Sequence, residues 1–274
     1  MRKTLYICFL LWAWIGISAQ EPVTEQAEVQ ETAEQVNVPK LQTQYGDNTE
    51  KANAAYAAGD FEKALDLYLQ VVKEKGESAA VFYNIGNCYY RLEKIAPSIL
   101  YYERSLLLNP GNKDTRFNLE IAKLKTVDKI EAIDDFFLSG WFLSVRNLMS
   151  TDGWSYFSIV SFIFFIGGAF LFFFSRKIFL KKIGFFAGLG WLIFVIFGNI
   201  FAYQQKKELT NRNTAIIFSA TTTIKGSPDN SGTDLFILHE GTKVEVKSKL
   251  GDWNEIETAD GNVGWIRSNE IEII

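Results

Sequence analysis

The stretch AAVFYNIGNCYYRLEKIAPSILYYERSLLLNPGN, residues 79–112, decides the fold because its pattern of small and aromatic residues occurs twice in the chain. Its marked positions are Phe82, Ile85, Gly86, Tyr89, Ser98, Tyr102, Ser105 and Pro110. A shift by the length of this stretch toward the N-terminus, without a gap, finds equivalent positions at Ala52, Ala55, Gly59, Ala64, Tyr68, Val71 and Gly76. A period of about 34 residues predicts a stack of helical pairs.

The small residues of this pattern allow the two helices of each pair to approach closely, and the aromatic residues fill the space between them. Pro110 ends the second helix, because proline cannot continue it. This order of residues resembles the tetratricopeptide repeat family, and the resemblance implies an all-α solenoid. We assign two repeats, 45–78 and 79–112.

A third unit begins after the second repeat. The stretch KDTRFNLEIAKLK from Lys113 has the spacing of a first helix, but no matching second helix follows it. We therefore predict a capping helix that ends near Ile130, so that the repeat region covers 45–130. Stacked repeats usually need about three units to bury a continuous core. Either the cap suffices, or a partner, a second copy or the membrane surface completes the burial.

In this family, the first helices of the repeats line a concave groove that commonly binds an extended or helical segment of another protein. The resemblance implies groove-facing side chains at Asn53, Tyr56, Tyr83, Asn84, Asn87, Tyr90, Arg91 and Asn118. Asn can bond a peptide backbone from both ends of its amide, and Tyr adds rigid contact area. A carboxylate clamp is not expected, because the family's clamp cations are missing. The alternative is that these polar residues only solubilise an idle surface.

Two uncharged runs, 154–175 and 183–203, predict a transmembrane hairpin. At 1.5 Å per residue, each run is long enough to cross the ~30 Å hydrocarbon core of a bilayer. The alternative is a buried core hairpin of a soluble protein. Ser161, Gly168, Ser175 and the stretch GFFAG, 184–188, permit close helix contact, either within the hairpin or with another membrane protein. The preceding segment, 131–153, is rich in Trp and Phe and is expected to lie at the headgroup level.

The orientation of the hairpin follows from its loop, 176–182. This loop carries the cations Arg176, Lys177, Lys181 and Lys182, which the cytoplasmic side retains and which have phospholipid headgroups as expected neighbours. The 20 residues before the first span contain one cation, Arg146, so the comparison favours a cytoplasmic loop. Both large segments, and the linker 204–212, are therefore expected on the periplasmic side of the bacterial cytoplasmic membrane.

The N-terminal residues support the same orientation. Residues 1–19 combine Arg2 and Lys3, an uncharged run too short to span a bilayer, and the small residues Ser18 and Ala19. This order predicts a secretory signal peptide, and the alternative is a retained N-terminal anchor. Residues 20–44 contain five Glu before the first cation, Lys40, and no aromatic residue, so they predict a disordered acidic linker.

The last part of the chain, 213–274, has short alternating runs separated by turns that contain Gly. Strands are predicted at 215–218, 242–247, 253–258 and 264–267, with a hairpin turn at Asp260-Gly261. The order of LHEGTKVEV, W-x-x-I and DGNVGWI resembles the bacterial SH3 family. That resemblance implies an all-β barrel that binds peptidoglycan or peptide segments. Trp253 and Trp265 are either the core and lip of this barrel or residues that stack on its ligand.

Composition and motifs exclude several kinds of function. The net charge of −4, without a basic run interleaved with aromatics, does not favour nucleic acid as a partner. The chain has a single His, whereas a helical zinc motif needs two His four residues apart. The sequence contains no phosphate loop, Ser-His-Asp set or G-x-S-x-G elbow. We predict a protein that is not an enzyme and holds neither a cofactor nor a metal.

The order of the parts carries a further resemblance. A signal, two tetratricopeptide repeats, a hairpin with a basic loop and a bacterial SH3 domain together resemble the BatE family of the bacterial aerotolerance operon. This resemblance implies work beside von Willebrand factor A-type membrane proteins and a MoxR-type ATPase, in a complex linked to stress or oxygen tolerance. We expect a membrane-anchored scaffold whose repeats bind a partner's segment. The alternative is a cell-wall tether that binds peptidoglycan through the C-terminal domain.

Overall fold

The computed structural model describes residues 46–130 and 137–274. The predicted signal peptide, 1–19, and acidic linker, 20–44, lie outside these residues, as do Tyr45 and the first part, 131–136, of the predicted interfacial segment. In chain order, the described residues form a tetratricopeptide-like helical region, a short helix, two helices of membrane length and a C-terminal antiparallel sheet.

The helical region begins with two helical pairs and ends with a single helix. Its helices are α1 (Gly46–Ala57), α2 (Phe61–Lys75), α3 (Ala79–Arg91), α4 (Ile95–Leu108) and α5 (Lys113–Leu124). Asp60 and Asn112 cap α2 and α5, because each side chain accepts a hydrogen bond from a backbone N–H three residues later. Gly86 sets the closest approach of α3 to α4, since a Cβ there would lie 2.6 Å from the Tyr102 ring.

The core of the second repeat extends beyond the helices. Its buried cluster joins residues of α3, α4 and α5 to Ile216 and Ile274 of the C-terminal sheet. The sequence does not predict that the sheet packs on this repeat. It suggests only a cap, another protein, a second copy or the membrane as the group that completes the burial. This chain therefore supplies the cover for its own second repeat.

The remaining helices are α6 (Phe137–Arg146), α7 (Thr151–Phe174) and α8 (Ile178–Thr210). Both α7 and α8 are long and apolar enough to cross a membrane. At 1.5 Å per residue, the 33 residues of α8 extend for about 50 Å, which exceeds a ~30 Å hydrocarbon core. Residues 178–182 and 204–210, which the sequence assigns to the loop and the linker, are part of α8.

The hairpin of α7 and α8 packs on itself through small residues. A Cβ on Gly168 would lie 2.8 Å from the Gly188 Cα atom and 2.9 Å from the Gly184 carbonyl oxygen, so the backbones touch. Farther along, the Asn199 side chain donates a 2.7 Å hydrogen bond to Ser158 Oγ. Large apolar side chains on both helices point outward and are exposed. The core hairpin of a soluble protein has the opposite distribution.

The C-terminal sheet has seven strands in the order β3-β2-β6-β5-β4-β1-β7, and every pair is antiparallel. The strands are β1 (Thr214–Ile217), β2 (Thr221–Lys225), β3 (Asp234–His239), β4 (Lys243–Leu250), β5 (Trp253–Glu257), β6 (Val263–Arg267) and β7 (Ile271–Ile273). The four predicted strands correspond to β1, β4, β5 and β6, and Gly261 turns the chain between β5 and β6 with φ 83°. The sequence does not predict β2, β3 or β7.

The predicted all-β domain is an antiparallel sheet, but the sheet does not close into a barrel. Within residues 137–274, β3 and β7 each pair on one side only and do not pair with each other. Strand β1 explains how an open sheet buries its apolar residues, because Ala215 and Ile217 enter the core of the sheet while Ile216 enters the repeat cluster. Because the repeats cover the side of β1 on which Ile216 lies, Ile216 is buried without closure of the sheet into a barrel.

Candidate functional site

The eight predicted groove residues lie on α1, α3 and α5, the first helices of their units. Four of them are buried, and these are Tyr56, Tyr83, Asn84 and Asn87. Asn53, Tyr90 and Asn118 are partly exposed, and Arg91 is exposed. Half of the set therefore lies inside the array, where it contributes to packing, and the other half remains available for contact with another molecule.

The amides of this surface take part in a hydrogen-bond pattern that repeats with the sequence. Tyr68 donates its hydroxyl to Asn53 Oδ1, and the equivalent Tyr102 of the second repeat donates to Asn87 Oδ1, each over 2.6 Å. Asn118 adds a second donor to Asn87 Oδ1, at 2.9 Å. Burial raises the pKa of both donor tyrosines, so their hydroxyls stay protonated. Asn53 and Asn87 thus join the first helix of each repeat to the second.

Three polar atoms of the predicted groove residues have no hydrogen-bond partner among the residues that the structure describes. They are Nδ2 of Asn84, Nδ2 of Asn87 and the hydroxyl of Tyr56, and all three are sealed from solvent. Burial also raises the pKa of Tyr56 to about 12. An unpaired buried donor costs about 1–3 kcal/mol, so a carbonyl group that reached one of these atoms would gain an unusually favourable bond.

The exposed face of α5 contains residues that the sequence pattern did not reveal. Phe117, Ile121 and Leu124 stand one repeat length after Tyr83, Asn87 and Tyr90, and together they define the α5 face. Phe117 is 62% exposed, whereas its second-repeat counterpart Tyr83 is buried. Leu124 is 72% exposed, whereas its counterpart Tyr90 is only partly exposed. The repeat register could have identified them. Only the marginal match of the third unit hid the signal.

One cation lies at the end of α5 beside this apolar face, and another occupies the equivalent position in the second repeat. The Lys125 ammonium lies 4.4 Å from the centre of the Tyr90 ring, and the Arg91 guanidinium lies 4.6 Å from the centre of the Phe61 ring. Both are exposed and stay hydrated while they rest on aromatic faces. The surface formed by the α5 face, Tyr90, Asn118 and these two cations suits a segment with apolar side chains and nearby carboxylates.

The predicted ligand-stacking residues of the C-terminal sheet are partly buried. Trp253 and Trp265 lie on adjacent strands, β5 and β6. The Arg267 guanidinium lies 5.2 Å from the centre of the Trp253 ring, while Trp265 is paired across the sheet with Glu255 and Lys225. The two rings thus stand among charged side chains on one face of the sheet, where part of each remains accessible.

The cations predicted to orient the hairpin are all exposed at one end of it. Arg176 and Lys177 lie between the two helices, and Lys181 and Lys182 lie in the first turns of α8. The opposite end carries Lys206 and Lys207, together with Arg146, which forms an ion pair with Glu208. The four cations therefore occupy the end of the hairpin farther from the repeats and the sheet.

A polar contact that no sequence motif predicts joins the repeats to the sheet. The Glu103 carboxylate accepts a 2.7 Å hydrogen bond from Lys243 of β4 and lies 3.7 Å from the Lys123 ammonium. Burial alone raises the pKa of Glu103, but the charges of Lys243 and Lys123 outweigh it, so the net pKa is lowered. The contact is an ion pair between the Glu103 carboxylate and the Lys243 ammonium, two residues that lie 140 positions apart in the sequence.

The Asp128 carboxylate forms a second such contact. It accepts 2.7 Å hydrogen bonds from the His239 backbone N–H and the Thr242 hydroxyl, and His239 Nδ1 lies 2.7 Å from its other oxygen. Burial raises the pKa of Asp128, and the hydrogen bonds from Thr242 and His239 lower it further than burial raises it. His239 and Thr242 of the sheet therefore hold the end of the repeat region through Asp128.

The described residues also show which chemistry their acidic and thiol groups could support. Within 46–130 and 137–274, no group of three or more His, Cys, Asp or Glu is placed to hold a metal ion. Cys88 is buried in the first repeat cluster, and burial raises the pKa of its thiol to about 12. A thiol that is protonated and enclosed is a poor nucleophile.

Residues 79–112 match the family model described as Tetratricopeptide repeat. These residues are α3, α4 and the turn before α5, which include the buried Asn84 and Asn87. A search of curated proteins finds no match to the chain. Tetratricopeptide repeats generally mediate protein–protein interactions, through extended surfaces that their stacked helices create.

Proposed function

We propose that this chain is a non-enzymatic, membrane-anchored scaffold that binds a segment of a partner protein along the inner surface of its repeats. The observation that carries the proposal is the exposed α5 face, which continues the repeat register and yet has no helix of this chain packed on it within the described residues. Apolar side chains at this density on a repeat surface are typical of binding sites. Asn118, Tyr90 and Lys125 add polar contacts at its edge.

Photo-cross-linking of the full chain tests this proposal. A cross-linking side chain at Leu124 should capture a defined partner in its native membrane, because Leu124 is 72% exposed on the α5 face. The same side chain at Asp66, which is exposed on α2, is the matched control and should not capture that partner. Phe117→Glu should reduce the yield at Leu124 by about tenfold, since it buries a carboxylate against an apolar segment. Identical products from both positions, or a product containing only this chain, would contradict the proposal.

We further propose that α7 and α8 cross the cytoplasmic membrane of a bacterium with the basic loop inside and the repeats and sheet in the periplasm. The shared core of repeats and sheet supports an even number of spans between them, because both must then lie on one side. The exposed Arg176, Lys177, Lys181 and Lys182 support a cytoplasmic loop.

Thiol labelling of intact cells tests this topology. A membrane-impermeant reagent should label Asp66→Cys on α2 and should label Lys177→Cys only after the membrane is opened. The unmodified chain provides the background from its own cysteines, of which Cys88 is buried. Labelling of Lys177→Cys in intact cells, with protection of Asp66→Cys, would reverse the topology.

The physiological setting we propose is a Bat-type aerotolerance complex, with von Willebrand factor A-type membrane proteins as partners. The order of repeats, hairpin and C-terminal sheet supports this assignment by its resemblance to the BatE family. Co-purification of the full chain with such proteins, when they are encoded beside it, is the test. Absence of these proteins from the purified complex would contradict the proposed Bat-type complex but not the proposed scaffold function.

A second candidate function is a cell-wall tether, in which an SH3-like C-terminal domain binds peptidoglycan. The accessible parts of Trp253 and Trp265 on one sheet face favour it, because aromatic rings stack on sugar rings. The full chain in detergent should then sediment with purified peptidoglycan. Trp265→Ala should reduce the sedimented fraction several-fold, while Phe117→Ala should not change it. No enrichment in the pellet would remove this candidate.

A further inference from the structure

A cavity of about 500 Å³ lies between α6 and the C-terminal end of α8. One wall is polar and includes Gln204, Lys207 and Asn211, and the other is apolar and includes Phe142 and Leu143. No residue of the α5 face or of the C-terminal sheet's Trp pair lines it. The cavity therefore belongs to neither of the sites described above.

The cavity is built into the end of the hairpin. The Arg146 carbonyl at the end of α6 accepts hydrogen bonds from Trp154 Nε1, at 2.7 Å, and from Gln205 Nε2, at 2.9 Å. Gln205 also donates to the Met149 carbonyl, and the Phe142 ring packs on Phe201 of α8. These contacts fix α6 against α7 and α8, so the space between α6 and α8 does not depend on a mobile surface.

The position of the cavity corresponds to the headgroup layer if the hairpin spans a membrane. Trp141 on α6 is 65% exposed, and Leu143 is exposed beside it. Aromatic and apolar side chains that remain exposed at the end of a span lie at the boundary between headgroups and acyl chains. The cavity opens beside these side chains, because Leu143 lines it.

The charge of the cavity comes from Lys207. Arg146 and Glu208 also line the cavity, but they form an ion pair and neutralise each other. Within the described residues, the Lys207 ammonium has no carboxylate within 4.0 Å, which leaves one uncompensated positive charge. Lys206 lies on a different cavity, which it lines with Asp152.

We propose that this cavity binds the headgroup of an anionic phospholipid. Lys207 pairs with the phosphate, the Gln204 and Asn211 amides donate to its oxygens, and Phe142 and Leu143 contact the beginning of the acyl chains. A free phosphate ion would use the polar wall only, so the two-sided wall favours a lipid. The inference rests on the proposed membrane insertion and adds a lipid to the partners of the same anchor.

Native mass spectrometry of the full chain in detergent tests the site with equimolar phosphatidylglycerol and phosphatidylcholine. The unmodified chain should retain phosphatidylglycerol preferentially, and Lys207→Gln should reduce that preference by about fivefold, the loss expected for one cation near an anionic surface. Lys206→Gln is the matched control at the same depth and should leave the preference unchanged. Leu143→Ser should weaken retention of phosphatidylglycerol while the spectrum of the folded chain is preserved.

Three outcomes would overturn the proposal. They are equal retention of the two lipids, equal losses in Lys206→Gln and Lys207→Gln, and displacement of the lipid by inorganic phosphate at an equal concentration. Alkaline carbonate extraction of the full chain from membranes separates this result from failure of the anchor. A chain that stays in the pellet but shows no lipid preference keeps its membrane anchor and lacks only the headgroup site.

Discussion

The two repeats are built on the same template but face different surroundings. Their second helices, α2 and α4, begin at equivalent positions of the repeat, Phe61 and Ile95. On α2, the outward positions are Glu62, Asp66 and Lys73, and all three are exposed. The equivalent positions on α4 are Ala96, Leu100 and Leu107, which are buried or partly buried against the sheet.

This difference separates two kinds of information in a repeat sequence. The inward positions, such as Tyr68 and Tyr102, keep the same residue and the same 2.6 Å hydrogen bond in both repeats. The outward positions record what covers each helix, because charged residues remain where water does and apolar residues replace them where the sheet packs. Two repeats and one further helix thus form a stable unit with lateral cover from the sheet.

Transferring one outward residue from the first repeat to the second should have the largest effect. Leu100→Asp places the residue found at position 66 against Ile216 and Ile274. We expect the free energy of unfolding to fall by about 4 kcal/mol, because a buried Leu is lost and a carboxylate is left without a partner. Thermal unfolding of the full chain in detergent should show a midpoint about 10 °C lower.

The reverse exchange is the control for this prediction. Asp66→Leu adds an apolar residue on the exposed side of α2 and should change the free energy of unfolding by no more than about 0.5 kcal/mol. Similar losses in both variants would show that the two second helices have equivalent surroundings, and the comparison would fail.

The next effect concerns Glu103, which replaces the apolar Leu69 of the first repeat. Glu103→Gln removes the charge that Lys243 and Lys123 contact, and we expect a loss of about 2 kcal/mol at neutral pH. The neighbouring cations lower the pKa of Glu103 in the folded chain below its ordinary value of 4.5. Its contribution is therefore present above pH 4.5 and is lost as the pH falls through the lowered pKa.

A pH series of thermal unfolding checks this sign. The unmodified chain should lose stability below about pH 4.5, and Glu103→Gln should give a shallower slope there. Part of the slope should remain, since the pKa of Asp128 is also lowered in the folded chain. Glu62→Gln, on the exposed side of α2, is the matched control and should leave the unfolding midpoint nearly unchanged. An identical slope in Glu103→Gln and the unmodified chain would show that Glu103 does not couple the repeats to the sheet.

The sequence predicts the local elements of this fold better than their assembly. Periodicity reveals the repeats and the two long apolar helices, because each signal lies within one segment of the chain. The contact of Glu103 with Lys243 joins residues 140 positions apart, and no local pattern encodes such a pairing. The apolar outward residues Leu100 and Leu107 could have indicated a covered face of α4, but no local pattern identifies the sheet as the segment that covers it.

The predicted groove residues show the same limit. Asn53, Asn87 and Asn118 all lie on the first helices of their units, yet their burial depends on how closely those helices stack. Tyr83 is enclosed because α5 packs beside it, whereas Phe117 is exposed because, within the described residues, no helix of the repeat array is stacked on α5. The positions on the repeat could be predicted, but their accessibility depends on the number of units.

Each repeat contains an equivalent hydrogen bond from Tyr to Asn, and loss of either bond should lower the free energy of unfolding by a smaller amount. Tyr102→Phe should cost about 1 kcal/mol, while Tyr68→Phe should cost about half as much, because Asn53 is partly exposed and water can replace the lost donor. Asn87 retains the Asn118 amide as a donor after Tyr102→Phe. The double variant Tyr102→Phe with Asn118→Ala should therefore lose about 1 kcal/mol more free energy of unfolding than the two single variants lose together. Strict additivity in the double variant would show that the two donors do not compete for Asn87.

The smallest expected effect concerns the contact between α4 and the edge strand β7. Arg104 of α4 donates to the Ile273 carbonyl over 2.6 Å and to Glu272 over 3.1 Å, whereas the equivalent residue on α2 is the exposed Gln70. Arg104→Gln should cost less than about 1 kcal/mol overall, because an ion pair at an exposed edge contributes little. Hydrogen exchange in the peptide 268–274 should nevertheless become faster, since β7 loses its only side-chain anchor on α4 among the described contacts. Gln70→Arg, with no strand beside it, should change neither measurement. Unchanged exchange in Arg104→Gln would mean that Ile216 and Ile274 alone hold the sheet on the second repeat.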